Sequence, residues 1–301
     1  MTMDKTPRFI DRHVPFQPAA TTGIPHQYHD VPYAPGARHT LDIYLPNDGV
    51  TPFPVVIDVY GGGLYFGQKS SHKLNPALQL RSAGYAIVSP DYSLSYQQPF
   101  PTQISELKAA IRFVRAKAAL YGLDPNRIAL MGESSGAHLA VLTAASETVG
   151  QLDRGLGNHL GVSAAVSAVI ASYGPYQFDQ FSAQFDLLKI TPKFRETGQA
   201  DSFEGVMFGG HAPAQIKDQI TAADPAHYLT AKMPPLLLTA GMADQVVPYV
   251  QSFNLAASAM TVMGTDQVQL HLVDGAHHGP ADFMTADIVA ERVAFLNRWL
   301  D

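Results

Sequence analysis

The residues of this chain that are best suited to chemistry lie in the pentapeptide Gly-Glu-Ser-Ser-Gly at positions 132–136. The apolar run 127–131 precedes it, and a stretch of mostly small and apolar residues at 137–145 follows it. A Gly-x-Ser-x-Gly that ends a strand and opens a helix indicates a nucleophile elbow, a sharp turn that raises a serine hydroxyl above the edge of a sheet. Glycines suit the crowded backbone of such a turn. We therefore predict that Ser134 is a nucleophile.

A second candidate residue is Asp244. A serine hydroxyl is a weak nucleophile until a neighbouring base takes its proton, so Ser134 requires a histidine and an acid that orients this histidine. Asp244 is the candidate acid because it follows the apolar run 236–240, which has the character of a late buried strand. The alternative is that Asp244 caps the N-terminus of a helix that begins near Val247.

Two adjacent histidines, His277 and His278, follow the last predicted strand at 268–273 and compete for the role of the base. We choose His278, because Gly279 after it permits the tight turn into the last helix. His277 is then a solvated histidine at the rim. The other histidines are scattered without the spacing of metal ligands. His138 lies in the predicted helix after the elbow, where we expect it to be packed rather than reactive.

Three consecutive glycines at 61–63 follow the predicted strand 53–59. A loop of this kind lets the backbone approach a substrate closely, and its N–H groups can stabilise an oxyanion. We assign Gly62 and Gly63 as donors, together with the N–H of Ser135, the residue after the nucleophile. A phosphate-binding loop is the alternative, but no Gly-Lys-Ser or Gly-Lys-Thr follows the glycines.

The elements that must position these residues alternate along the chain. Apolar or alternating segments predict strands at 39–45, 53–59, 85–89, 128–131, 165–171, 236–240 and 268–273. Helical spacing or composition predicts helices at 74–83, 102–121, 137–145, 247–260 and 281–300. This alternation predicts an α/β fold with a mostly parallel sheet that is covered by helices on both faces.

Two segments depart from this alternation. Residues 176–226 contain many aromatics and no clean strand, and we interpret them as a helical cap insertion over one end of the sheet. Residues 1–35 are predicted to form an irregular N-terminal arm that packs on the body or covers a site, with a disordered tail as the alternative. Residues 36–301 then form a single domain. The predicted substrate pocket is apolar and small, lined by Tyr65, Phe66, Tyr176 and Phe178. Alternatively, the aromatics of the insertion form its own core.

Composition narrows the set of partners. The formal net charge is −6 and no basic cluster is present, which argues against nucleic acid or an anionic membrane as a partner. No apolar run approaches the roughly 20 residues of a membrane helix. No cysteine is present, which excludes disulfides and thiol catalysis and fits a cytoplasmic protein. A mature secreted protein without its signal peptide is the alternative. The apolar residues of 281–300 suit either the core or a contact in a homo-oligomer.

The combined motifs resemble those of the hormone-sensitive-lipase-like esterases, and among these the bacterial carboxylesterases and feruloyl or acetyl-xylan esterases. The resemblance spans residues 41–300 and rests on four motifs, at 60–63, 91–94, 121–127 and 132–136. It implies the α/β-hydrolase fold, a triad of Ser134, Asp244 and His278, and a serine carboxylesterase that needs no cofactor. The expected substrates are small esters with acetyl to butyryl chains, including aryl or sugar acetates.

The chain departs from this family at two places. Tyr60 stands where the family has a histidine before the three glycines, and a tyrosine hydroxyl could support the loop in a similar way. Glu133 stands where the family has an aspartate before the nucleophile. Two other functions remain open on the residues alone. One is hydrolysis of aryl formamides or small amides by the same triad, and the other is a non-catalytic binding protein with this fold.

Overall fold

A central eight-stranded sheet carries the candidate residues. The computed structural model of the protein describes Phe9 and residues 15–300. The strands are β1 (Gln27–Pro32), β2 (Thr40–Tyr44), β3 (Phe53–Val59), β4 (Ala86–Pro90), β5 (Leu123–Glu133), β6 (Ala168–Ser172), β7 (Leu236–Gly241) and β8 (Val268–Val273). Their spatial order is β1-β2-β4-β3-β5-β6-β7-β8. β2 pairs antiparallel with β1 and β4, and the remaining pairs are parallel. The sheet is therefore mostly parallel, as predicted.

Helices cover both faces of this sheet. They are α1 (Asn75–Leu78), α2 (Thr102–Lys117), α3 (Ser135–Thr148), α4 (Phe181–Leu188), α5 (Phe203–Met207), α6 (Lys217–Ala223), α7 (Val250–Met263) and α8 (Ala286–Leu300). The apolar residues of α2, α3 and α7 belong to one core, and those of α1 and α8 belong to the core on the opposite face. None of the helices in the described part of the chain is long and apolar enough to span a bilayer.

The alternation of side chains along β3 shows how the two cores arise. Val55 and Ile57 pack in the first core, whereas Val56 packs in the second. Successive side chains of a strand point to opposite faces, so a parallel strand that is covered on both faces needs a continuous apolar run. This requirement explains why the predicted limits of β3 agree with the structure at every residue. The predicted limits of β8, an edge strand of alternating residues, also agree.

The N-terminal segment contains one element that we did not predict. β1 lies inside the predicted irregular arm and pairs with β2 at the edge of the sheet. Its residues are nearly all exposed, and its register shifts beside Asp30, which has a positive φ of 53°. An exposed edge strand lacks the alternation by which strands are recognised. Residues 1–8 and 10–14 of the predicted arm lie outside the described residues.

The segment between β6 and β7, which includes the predicted cap insertion, contains the three helices α4, α5 and α6. Phe178, Phe181 and Phe185 from this segment are buried and join the first core. The last predicted helix begins later than we expected. Residues Pro280–Phe283 form a short 3-10 turn, and α8 starts at Ala286.

Candidate active site

Ser134 lies in the turn between the end of β5 and the start of α3. Its φ is 52°, a left-handed conformation that is uncommon for a serine. The neighbouring glycines explain how the turn is possible. A Cβ on Gly136 would collide with the carbonyl oxygen of Val59, and a Cβ on Gly132 would collide with that of Gly136. The pentapeptide therefore forms the strained elbow that its pattern predicts.

Three predicted site residues meet above the C-terminal ends of β5 and β7. Nε2 of His278 lies 2.9 Å from Oγ of Ser134, and Nδ1 of the same ring lies 2.7 Å from Oδ2 of Asp244. This chain of contacts has the geometry of nucleophile, base and orienting acid. The adjacent His277 is exposed, and its backbone N–H donates to Asp282.

Asp244 is fully buried and uses both carboxylate oxygens. Oδ2 binds His278, whereas Oδ1 accepts hydrogen bonds from the N–H groups of Val246 and Val247 at 2.7 and 2.9 Å. The helix that follows begins only at Val250, so Asp244 closes the turn after β7 and does not cap a helix. These two bonds fix the carboxylate in the orientation in which it meets the imidazole.

The predicted oxyanion donors lie beside the nucleophile. Gly62 and Gly63 have φ of 141° and 63°, and no residue in the described part of the chain accepts a hydrogen bond from their N–H groups. The N–H of Ser135 is in the first turn of α3, where a helix offers no internal acceptor. The N–H of Leu64 donates to Oγ of Ser135 at 3.2 Å, which ties the glycine loop to the elbow.

Tyr173 and Glu133, which we did not predict as site residues, lie next to the catalytic histidine and serine. The ring of Tyr173 packs edge-on against the imidazole of His278 with 4.9 Å between centroids. Its hydroxyl donates to Oε2 of Glu133 at 2.5 Å. Burial and the charge of Glu133 raise the pKa of Tyr173, so its hydroxyl remains a donor at neutral pH. Tyr173 has a positive φ of 42° just after β6, outside any periodic pattern.

A cavity of about 640 Å³ opens onto Ser134 and His278. Of the four residues predicted for the substrate pocket, Phe66 and Phe178 line this cavity, and Tyr65 and Tyr176 do not. The ring of Tyr65 turns instead towards Tyr96, at 5.0 Å between centroids. Tyr176 is almost fully buried and belongs to the first core. Lining residues absent from the prediction include Phe16, Gln17, Gln68, Lys73, Phe181, Phe203, Met207, Val246 and Val247.

The described residues contain no group of three histidine, aspartate or glutamate side chains that could hold a metal ion. The side chains that meet in the cavity offer nucleophilic and acid–base groups. Ser134, His278 and Asp244 supply these groups, and the N–H groups of the glycine loop supply electrostatic stabilisation.

Known proteins are similar to this chain in sequence. A model of the BD-FAE family matches residues 41–259. Esterase LipQ of Mycobacterium tuberculosis is 30% identical over 276 residues, which cover 89% of this chain and 61% of LipQ. The isoprenylcysteine alpha-carbonyl methylesterase ICME of Arabidopsis thaliana is 29% identical over 250 residues, which cover 82% of this chain and 55% of ICME. The chain thus spans less than two thirds of the length of these curated relatives.

Solved structures agree with the family match. The truncated form of a carbohydrate esterase from gut microbiota superposes with a TM-score of 0.83 and 27% identity, covering 94% of this chain and 99% of that one. The family model spans well over half of the residues, and the superposition on the carbohydrate esterase covers nearly the whole chain. The chain therefore belongs to the BD-FAE family and has the α/β-hydrolase fold.

Proposed function

We propose that this protein is a serine carboxylesterase that hydrolyses short-chain acyl esters through an acyl-enzyme. The observation that carries the proposal is the unbroken set of contacts from Asp244 through His278 to Ser134, at 2.7 and 2.9 Å, at the floor of an open cavity. The relatives LipQ and ICME and the solved carbohydrate esterase are all named as esterases, which supports the same class of reaction.

The first half of the reaction forms the acyl-enzyme. Nε2 of His278 accepts the proton of Ser134 as Oγ attacks the carbonyl carbon of the ester. The electron pair of the carbonyl moves onto its oxygen, and the N–H groups of Gly62, Gly63 and Ser135 stabilise this oxyanion. The carboxylate of Asp244 stabilises the imidazolium. The carbonyl then re-forms, and the alcohol leaves with the proton from His278.

The second half returns the enzyme to its starting state. His278, now neutral, takes a proton from water while the water oxygen attacks the acyl carbon. The same N–H groups bind the second oxyanion. Collapse of the tetrahedral intermediate breaks the bond to Oγ of Ser134, which regains its proton from His278, and the carboxylic acid departs. Each proton that leaves a nucleophile is returned to a leaving group, so this cycle consumes only ester and water.

The lining of the cavity favours a small substrate with one apolar end and one polar end. Phe178, Phe181 and Phe203 contribute apolar surface, whereas Gln68 and Lys73 contribute polar groups on the cavity wall. We infer an acetyl to butyryl chain joined to an aryl or sugar alcohol, in line with the named carbohydrate specificity of the solved neighbour. The small-molecule ester is the only partner that the proposal requires. A cytoplasmic location and the absence of nucleic-acid and membrane partners remain predictions from composition.

The proposal is tested by hydrolysis of p-nitrophenyl esters from acetate to decanoate. We expect the highest kcat/KM at acetate to butyrate in the wild type, and a loss of at least about a thousandfold in Ser134→Ala. Ser146→Ala is the matched control, because Ser146 is buried in α3, the helix after Ser134, and its hydroxyl donates to the carbonyl of Thr143. Its activity should equal that of the wild type.

Activity retained in Ser134→Ala contradicts the mechanism. Faster turnover of N-formyl aryl amides than of acetyl esters contradicts the esterase assignment and favours the amide hydrolase.

A further inference from the structure

Arg38 lies behind the loop of residues 60–67, which we call the oxyanion loop because it contains Gly62 and Gly63. Its side chain comes from the segment between β1 and β2 and is only 22% exposed. Nη2 donates to the hydroxyl of Tyr60 at 2.6 Å and to the carbonyl oxygen of Gly67 at 3.0 Å. One guanidinium therefore holds the first and the last residue of the oxyanion loop.

The same guanidinium is itself held in place. Nε of Arg38 donates to the carbonyl oxygen of Tyr92 at 2.7 Å, and Nη2 lies 3.1 Å from Oδ1 of Asp91. Oδ1 of Asp91 also accepts the N–H of Lys69 at 2.9 Å, just beyond the loop. The planar fork of an arginine can bond several acceptors in fixed directions, which a lysine cannot do. The loop ends are thus connected to the residues just after β4 through a charged, directional network.

Tyr60 transmits this anchoring to the glycines. Its ring stacks on that of Tyr92, with 4.4 Å between centroids and 13° between planes, and the hydroxyl of Tyr92 donates to the carbonyl of Tyr60 at 2.6 Å. A Cβ on Gly67 would lie 2.5 Å from the ring of Tyr60, so the two loop ends are in direct contact. Within the loop, the N–H groups of Tyr65 and Phe66 both donate to the carbonyl of Gly62.

The loop passes close to the nucleophile, so small shifts of its ends affect the reacting atoms. A Cβ on Gly61 would lie 2.9 Å from Cβ of Ser134. Gly62 and Gly63 have no side chains to anchor them, so their N–H directions depend on the ends of the loop and on the hydrogen bonds of the adjacent Leu64. A misplacement of about 1 Å at a catalytic group can cost on the order of a hundredfold in rate.

We propose that Arg38 is a positioning residue that closes the oxyanion loop and thereby aims the N–H groups of Gly62 and Gly63 at the developing oxyanion. This inference rests on the proposed esterase function. Tyr60 serves as its partner on the loop. Arg38 touches no reacting atom, and its effect is confined to stabilisation of the transition state.

The test compares Arg38→Met with Arg81→Met. Arg81 is a matched control because it also binds a backbone carbonyl, that of Leu45, through Nε and Nη2 at 2.8 and 2.6 Å, away from the cavity. We expect Arg38→Met to lower kcat for p-nitrophenyl acetate by about 10- to 100-fold, with KM within about threefold. Arg81→Met should lower the melting temperature without changing kcat by more than about twofold.

A second variant covers the case in which Arg38→Met does not fold. Tyr60→Phe keeps the ring stacked on Tyr92 and removes the hydroxyl that accepts from Arg38 and hydrogen-bonds the carboxylate of Asp91, the other member of this network. We expect it to lower kcat by about 3- to 10-fold with KM unchanged. The proposal is overturned if folded Arg38→Met keeps kcat within about twofold of the wild type, if both arginine variants lose kcat equally, or if Tyr60→Phe has the kcat of the wild type. If the wild type itself has no esterase activity, the proposed function is contradicted. This outcome is distinct from failure of the Arg38 proposal, which is judged by comparing the variants with an active wild type.

Discussion

Replacement of Asp244 by asparagine separates the two roles of this side chain. Oδ1 accepts two backbone N–H groups, from Val246 and Val247, and Oδ2 accepts the Nδ1–H of His278. Asparagine has one oxygen and one NH2 group. The two N–H groups require the oxygen, so the NH2 group must face Nδ1. The ring proton then moves to Nε2, which points at Ser134 and can no longer accept its proton.

The size of the effect follows from this tautomer change. The corresponding substitution in the trypsin triad lowers kcat about 10⁴-fold. At about 1.36 kcal/mol for each factor of ten, this equals about 5.5 kcal/mol of transition-state stabilisation. Asp244 is fully buried, so water cannot replace the missing acceptor. Both backbone hydrogen bonds survive the change, and we expect the free energy of unfolding to change by no more than about 2 kcal/mol.

The assay is kcat for p-nitrophenyl acetate, with urea unfolding of the same samples. Asp282→Asn is the matched control, because Asp282 accepts the N–H of the neighbouring His277 at the exposed rim. Asp244→Asn should lose about 10³- to 10⁴-fold in kcat, and Asp282→Asn should lose less than about twofold. A folded Asp244→Asn with kcat within tenfold of the wild type refutes the assignment of Asp244 as the orienting acid.

Three further predictions concern stability and the cavity. Burial lowers the pKa of His138 from 6.5 to about 4, so the unfolded chain takes up a proton at a higher pH than the folded protein does. The free energy of unfolding should therefore fall by about 2 kcal/mol as the pH is lowered from 7 to 5. His138→Gln should remove this part of the acid sensitivity in urea unfolding, and an identical pH dependence of both proteins would contradict it. Gly136→Ala should lower the melting temperature, with a loss of several kcal/mol of stability, because its Cβ meets the carbonyl of Val59. Gly161→Ala is the control, because a Cβ there meets open space and should leave the melting temperature unchanged. Equal melting temperatures of the two variants would contradict this prediction. Phe16→Ala should raise KM for p-nitrophenyl butyrate about threefold at constant kcat because Phe16 lines the cavity, and an unchanged KM would exclude it from the substrate wall.

The elements that could be predicted from the sequence are those in which a short run of residues has a recognisable pattern. β3 is covered on both faces and consists of a continuous apolar run, and its limits were predicted correctly. The elbow is similar, because the glycines at 132 and 136 are required by contacts within the turn and with the adjacent strand. β1 could not be predicted, because an exposed edge strand has no burial pattern.

The residues around the site that escaped prediction depend on contacts between distant segments. Arg38 is 22 residues from Tyr60 and 54 residues from Tyr92. They come together because β4 pairs with β2 on one side and with β3 on the other. The choice between the adjacent Tyr65 and Phe66 as cavity walls depends on the backbone of the oxyanion loop, where Leu64 also has a positive φ. No periodic pattern describes such a loop, so the direction of its side chains follows only from the structure.

The role of Ser134 as the nucleophile is tested most directly by covalent labelling with a fluorophosphonate, followed by intact-mass measurement and peptide mapping. We expect a single adduct on wild-type protein, located on Ser134, and no adduct on Ser134→Ala. The Asp244→Asn variant should form the same adduct more slowly, because its base is in the wrong tautomer. A wild type that forms no adduct, or an adduct of equal yield on Ser134→Ala, would contradict the assignment of Ser134, His278 and Asp244 as the catalytic residues.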